Sequence, residues 1–239
     1  MAANSPNIQR KAVKEKGRRG AVHDLVYQEI RQSLMVGTFT PGEKVSLRSL
    51  AQQVGTSLTP VRGAVNRLIA EGAFEVLPNR CVVSPSMTEE KFDEITHWRT
   101  LLETEATRRA CQNVTKGLIN NIESINKKIH MVMKEGKDRK DLLTENYKFH
   151  FAIYRESRSA ILLPMIESLW LQCGPFTYYS LLSPKDLWDA KFHDEIIEAL
   201  KSGDENLAAK AVKNDIISMA KFLKESGHYD QPKLRKVVR

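Results

Sequence analysis

Between Ser46 and Arg62 the chain has little freedom of fold. Leu50, Ala51 and Val54 recur at helical spacing, Gly55 interrupts them, and Ser57 opens a second run carrying Thr59 and Pro60 in its first turn. Proline is accepted there because that backbone N–H would have no helical partner anyway. Val61, Ala64, Val65, Leu68 and Ile69 then extend an apolar stripe. Two short helices must cross at a tight turn, with small Ala51 at the crossing and the apolar residues inward. Thr56, where an apolar residue is usual, is a mild departure.

The flanks extend this unit over residues 21–84. Apolar residues from Val22 to Val36 predict a first helix stopped by Gly37, and Thr40-Pro41-Gly42-Glu43 predicts a turn. Ser46 can cap a second helix from Leu47 to Val54, and Ser57 a third that ends near Glu71-Gly72. Two β-prone pieces, Phe74 to Leu77 and Cys81 to Val83, are joined by Pro78-Asn79-Arg80. Three helices and a hairpin give a winged helix-turn-helix. Ser57, Thr59 and Arg62 fall at the start of the third helix, the end that enters a DNA major groove in such folds. Short hydroxyls there can meet phosphates or base edges, and Arg62 can reach guanine. Charge agrees: residues 1–84 hold 12 Lys and Arg against 6 Asp and Glu, while the remainder is nearly balanced at 25 against 23.

Everything beyond Pro85 reads as helix. Expected segments are 88–111, capped by Thr88, then 115–135, 138–157, 160–180, 184–202 and 204–226, with a kink at Gly174-Pro175. The expectation is a mainly α protein: a basic flexible arm over 1–20, the winged helix over 21–84, an all-α antiparallel bundle over 85–226 and a tail over 227–239. Three scattered cysteines, Cys81, Cys111 and Cys173, suggest neither a disulfide framework nor a zinc knuckle. No apolar run approaches the ~20 residues of a membrane span, so a soluble, cytoplasmic protein is expected. There is no nucleophile motif, phosphate loop or H-E-x-x-H, which argues against an enzyme.

The run Pro41-Gly42, Ser46-Leu47-Arg48-Ser49-Leu50-Ala51 and Gly55-Thr56-Ser57-Leu58-Thr59-Pro60-Val61-Arg62 resembles the signature of the GntR family of transcription regulators. The resemblance implies operator contacts by Arg48, Ser57, Thr59 and Arg62, and by Arg80 at a wing tip that usually reads glycine-arginine-glycine. Asn79 and Cys81 depart from that tip, and Leu58 stands where the family usually has a base-reading arginine.

Residues 88–226 resemble the FadR-type C-terminal (FCD) domain in its six-helix, VanR-like form. That resemblance implies a homodimer on pseudo-palindromic double-stranded DNA, and a small carboxylate effector held by Arg99 beside Glu103. From spacing alone the same two residues fit a surface ion pair worth ~0.5 kcal/mol. It further implies a divalent metal, zinc, nickel or manganese, on Asn146, His150, His193 and Asp215. Two of these depart from the family set: Asn146 replaces an aspartate and Asp215 a histidine. His150 and His193 could instead be ordinary bundle histidines. The remaining alternatives are an architectural DNA-binding protein without an effector and a helical metalloenzyme.

Overall fold

The computed structural model describes residues 19–135, 140–182, 190–225 and 227–229. The expected arm, apart from Arg19 and Gly20, and nearly all of the expected tail lie outside them, as do residues 136–139 and 183–189. Helix α1 spans Arg19–Met35, α2 Leu47–Gln53 and α3 Leu58–Ala70. Strands β1 (Glu75–Val76) and β2 (Val82–Val83) pair antiparallel, with Glu75 opposite Val83 and Val76 opposite Val82. Lys44 adds a single bridge to Val83, and Val45 N donates to Val82 O at 2.8 Å. The turn before α2 is thus stitched to the wing. Among the described residues six α-helices follow: α4 Glu89–Cys111, α5 Lys116–Glu135, α6 Lys140–Arg155, α7 Leu162–Thr177, α8 Lys191–Ser202 and α9 Glu205–Glu225.

Local chemistry accounts for the boundaries. Ser46 Oγ accepts from Ser49 N and Thr88 Oγ1 from Lys91 N, each satisfying a donor that the first helical turn leaves open. Ser57 occupies the N-cap position of α3 without capping it, contrary to the sequence expectation. Helix α1 starts at Arg19, about a turn before the apolar stripe, because a formed helix adds a hydrogen bond for each residue it recruits. Pro175 lies in the last turn of α7, after which the chain tightens into a 3-10 segment, Tyr178–Leu182.

In the bundle α4 is central, touching α6, α7 and α9. The larger of two apolar clusters among the described residues runs without a break from the winged helix into the bundle, joining Ile30, Leu34 and Met35 of α1 to Phe151, Ile166 and Trp170. The join is close. A Cβ on Gly174 of α7 would lie 2.9 Å from the Leu34 carbonyl carbon and from Met35 Cα, and nearer still to the Leu34 carbonyl oxygen. Glycine at 174 therefore serves contact between α1 and α7. Gly37 closes the same junction with a left-handed φ of 65° that a larger residue adopts only with strain. Beside it, Arg31 Nη2 pairs with Glu167 Oε2 at 3.0 Å, both side chains largely buried.

Gly174→Ala should destabilise the protein by about 1–3 kcal/mol, the usual cost of forcing atoms into a packed contact. Urea unfolding of the variant against the parent checks this; an unchanged midpoint would contradict the close approach.

Candidate functional site

On the winged helix, Arg48, Ser57, Thr59, Arg62 and Arg80 are all exposed. Among the described residues Arg48, Arg62 and Arg80 pair with no carboxylate, whereas Arg67 is engaged by Glu71 at 3.1 Å and by the Tyr27 ring. Leu58 is 39% exposed at the same helix start. Arg80 takes a left-handed φ of 62°, fixed by its N–H to Leu77 O at 2.8 Å and by Cys81 N to Asn79 Oδ1 at 3.1 Å. The Asn79 side chain so builds the turn for which glycine is the usual residue, and the arginine remains at the tip.

Inside the bundle the structure joins two groups of residues that the sequence treats separately. Arg99 and Glu103 on α4 pair at 2.7 Å. The pair is no surface ornament, since the Glu103 side chain is fully buried and that of Arg99 is 15% exposed. The second Glu103 oxygen accepts from the Tyr154 hydroxyl at 2.7 Å, and that hydroxyl lies 3.1 Å from His150 Nδ1. His150 Nε2 lies 3.2 Å from Asp215 Oδ2, and His193 Nε2 is 4.0 Å from Asp215 Oδ1. One buried polar chain therefore crosses the bundle from Arg99 to His193.

Each link depends on helix periodicity. Arg99 and Glu103 are four apart on α4, and Asn146, His150 and Tyr154 are three successive positions four apart on α6, so each set shares a face. His193 enters from the first turn of α8 and Asp215 from α9. They border a cavity of about 80 Å³ that Arg99, Asn146 and His150 also line, large enough for a small molecule or several waters. Trp170 and Cys173 of α7 complete that side, the Trp170 ring 4.7 Å from the Arg99 guanidinium and Cys173 Sγ 3.5 Å from Arg99 Nη1. Met35, from α1 of the winged helix, forms part of the wall.

Burial and pairing set the charges. Burial disfavours the Arg99 cation, but the adjacent Glu103 carboxylate outweighs it and holds the charge. Burial raises the Cys173 thiol despite Arg99, and raises the Tyr154 phenol well above its usual range, with Glu103 adding to the effect. Burial also opposes the Asp215 carboxylate, but its contacts with His150 and His193 lower its pKa overall. His193 is pushed down to about 3 by burial, only partly offset by Asp215. A neutral imidazole and a carboxylate are competent metal donors. One ligand atom each from His150, His193 and Asp215 can lie within 4.8 Å of the others, so the donor set fits a divalent cation, with the weaker amide of Asn146 on the same cavity. Among the described residues the buried Trp170 Nε1 and His193 Nδ1 find no hydrogen-bond partner.

Sequence reasoning gave no role at the site to Cys173 or Met35, and none to the Tyr154 hydroxyl. The spacing of Tyr154 from His150 was a usable signal, because i and i+4 share a face. Cys173 and Met35 reach the cavity through the packing of α7 and α1, which no local pattern encodes.

For the metal-free protein, the His193 shift has a definite sign. The folded ring takes its proton only near pH 3, the unfolded one near 6.5, so its contribution is complete above about pH 6.5 and is lost as pH falls toward 3. His193→Gln should flatten the fall in stability between pH 7 and 4, by a few kcal/mol at about 1.4 kcal/mol per pH unit. Denaturant midpoints across that range test it; parallel profiles would contradict the buried neutral ring.

Comparison with known proteins agrees with this architecture. The family of bacterial regulatory proteins termed gntR matches residues 23–83, and the FCD domain family matches residues 94–217. The chain is 31% identical over 182 residues to the HTH-type transcriptional regulator McbR of Escherichia coli (strain K12), covering 75% of this chain and 82% of that protein. It is 28% identical over 211 residues to the "Probable D-xylose utilization operon transcriptional repressor" of Paenarthrobacter nicotinovorans, covering 87% and 88% of the two chains. The solved structure of E. coli McbR/YncC superposes with a TM-score of 0.80 at 26% identity, covering 86% of this chain and 98% of that one. These relatives are regulators of transcription and not enzymes. The chain belongs to the gntR family of bacterial regulatory proteins, a transcription regulator with a winged helix-turn-helix followed by an FCD domain.

Proposed function

We propose that this regulator binds a pseudo-palindromic operator as a homodimer and represses transcription until a small carboxylate enters the FCD cavity, with a divalent cation as part of that site. The observation that carries the reading is the cavity wall itself, to which Arg99, the His150–His193–Asp215 cluster and Met35 of the winged helix all contribute. An architectural protein without an effector has no use for a cavity lined by a largely buried arginine and two buried histidines at that junction.

Ser57, Thr59 and Arg62 meet the major groove from the start of α3, Arg48 approaches from α2 and Arg80 from the wing. Their support is exposure and the absence of acidic partners. With Leu58 in place of an arginine, about 1–3 kcal/mol of base discrimination is lost at one position, the value of a bidentate contact. The operator preference therefore departs from the usual family site.

In the cavity Arg99 keeps Nη2 available after Nε is taken by Glu103, and the unpartnered Trp170 Nε1 offers a second donor to an acidic ligand. A bound zinc, nickel or manganese ion would supply a Lewis-acidic anchor for a carboxylate. His150, His193 and Asp215 would hold it, with Asn146 beside them. An effector changes operator affinity only by binding one dimer geometry better than another. The relevant geometries either match or miss successive major grooves ~34 Å apart. Helix α7 carries Cys173 toward Arg99 and Gly174 against α1, so a shift at the cavity moves the helix on which α1 rests.

Arg62→Ala should weaken operator binding about tenfold or more in a band-shift titration, and unchanged affinity would remove Arg62 from the DNA contacts. A thermal-shift screen of small organic acids tests the effector site: a ligand that stabilises the parent should fail with Arg99→Ala. Equal stabilisation of both would place the effector elsewhere.

A further inference from the structure

We infer that Tyr154 is the positioning residue for the metal site: it fixes the His150 ring so that Nε2 presents a lone pair to the cation. This rests on the metal-binding reading above, and follows from counting protons along the buried chain. Arg99 Nε donates to one Glu103 oxygen and the Tyr154 hydroxyl to the other, both at 2.7 Å. A phenol has a single proton. With it committed to Glu103, the Tyr154 oxygen is left as an acceptor, 3.1 Å from His150 Nδ1. His150 therefore donates from Nδ1, and a neutral imidazole has no second ring proton. Its Nε2 lone pair then faces the Asp215 carboxylate at 3.2 Å. Two acceptors at that distance repel unless a proton or a metal ion lies with them: in the metal-free protein a proton on Nε2 makes the contact with Asp215, and a bound cation would take that proton's place, with His193 turning its own Nε2 toward the same carboxylate.

Histidine ligands are commonly held this way by a partner on the other ring nitrogen, most often a carboxylate or a backbone carbonyl. Here the carboxylate, Glu103, stands one step further back and acts through the phenol. Arg99 anchors Glu103 in turn, so the residue assigned to the effector also steadies the orientation of a metal ligand. Tyr154 is fully buried and its ring packs on Phe151 with centroids 5.7 Å apart. Tyr154→Phe keeps that shape and deletes only the hydroxyl.

The test uses zinc alone on the full chain, with affinity measured by chelator competition and the His150 tautomer read from imidazole nitrogen NMR. The parent should bind one zinc per chain, lose it in His150→Ala, and show His150 protonated at Nδ1 in the zinc form. Tyr154→Phe should weaken zinc binding about 10–100-fold, the usual cost of losing such a partner. Unchanged affinity in Tyr154→Phe, or zinc bound through His150 Nδ1 with the proton on Nε2, overturns this inference and leaves the metal reading standing. A parent that binds no stoichiometric zinc, with a doubly protonated His150 ring, overturns both. The tautomer measurement is made on the parent, so it decides the matter even if the variant fails to fold.

Discussion

The buried Arg99–Glu103 pair is the constraint around which the bundle is organised. Removing a guanidinium and a carboxylate from water costs several kcal/mol per ion unless pairing and further hydrogen bonds offset it. The structure meets that demand from three directions: the pair itself across one turn of α4, the Tyr154 hydroxyl from α6, and the Trp170 face and Cys173 sulfur from α7. Satisfying one ion pair thus fixes how α4, α6 and α7 face one another. The position of His150, one turn before Tyr154, follows from that arrangement. Such a network is weak evidence for stability, because an apolar core of equal volume would serve as well. The network accords with the proposal that the cavity takes a charged ligand.

A second constraint joins the bundle cavity to the winged helix. The winged helix is not tethered by a loose linker: α1 lies against α7 so tightly that position 174 admits only glycine without displacement. Close-packed interfaces respond to small changes by shifting between discrete arrangements more than by stretching. Cys173 and Gly174 are neighbours on α7, one beside Arg99 and the other beneath α1. The cavity and the DNA-binding unit therefore share a helix and, through Met35, a wall. The Arg31–Glu167 pair holds the same junction from the side.

Legibility from the sequence was uneven, for physical reasons. The winged helix could be read closely because its constraints are local: a proline in a first turn, a small residue at a crossing, a stop at Gly55. Helix ends marked by Ser46 and Thr88 were also legible, since a cap acts over three residues. Ser57 shows the limit, because a residue with the right identity at the right position can leave its hydroxyl uncommitted. Arg99 and Glu103 were visible as a pair, but their spacing is the same on a wet surface and in a core. Only the packing of α6 and α7 against that face distinguishes the two.

Composition, capping residues and periodicity set the class of the protein, its two-part order and the faces on which Arg62, Arg99 and His150 lie, because those depend on neighbours within a turn or two. Tertiary packing decided which faces meet. It brought Asp215 to His150 across 65 positions and Cys173 to Arg99 across 74. It also set the end of the first helix of the winged unit into the wall of the cavity. Such meetings arise from the fit of whole helix surfaces, whose complementarity is spread over many side chains and carried by no single motif.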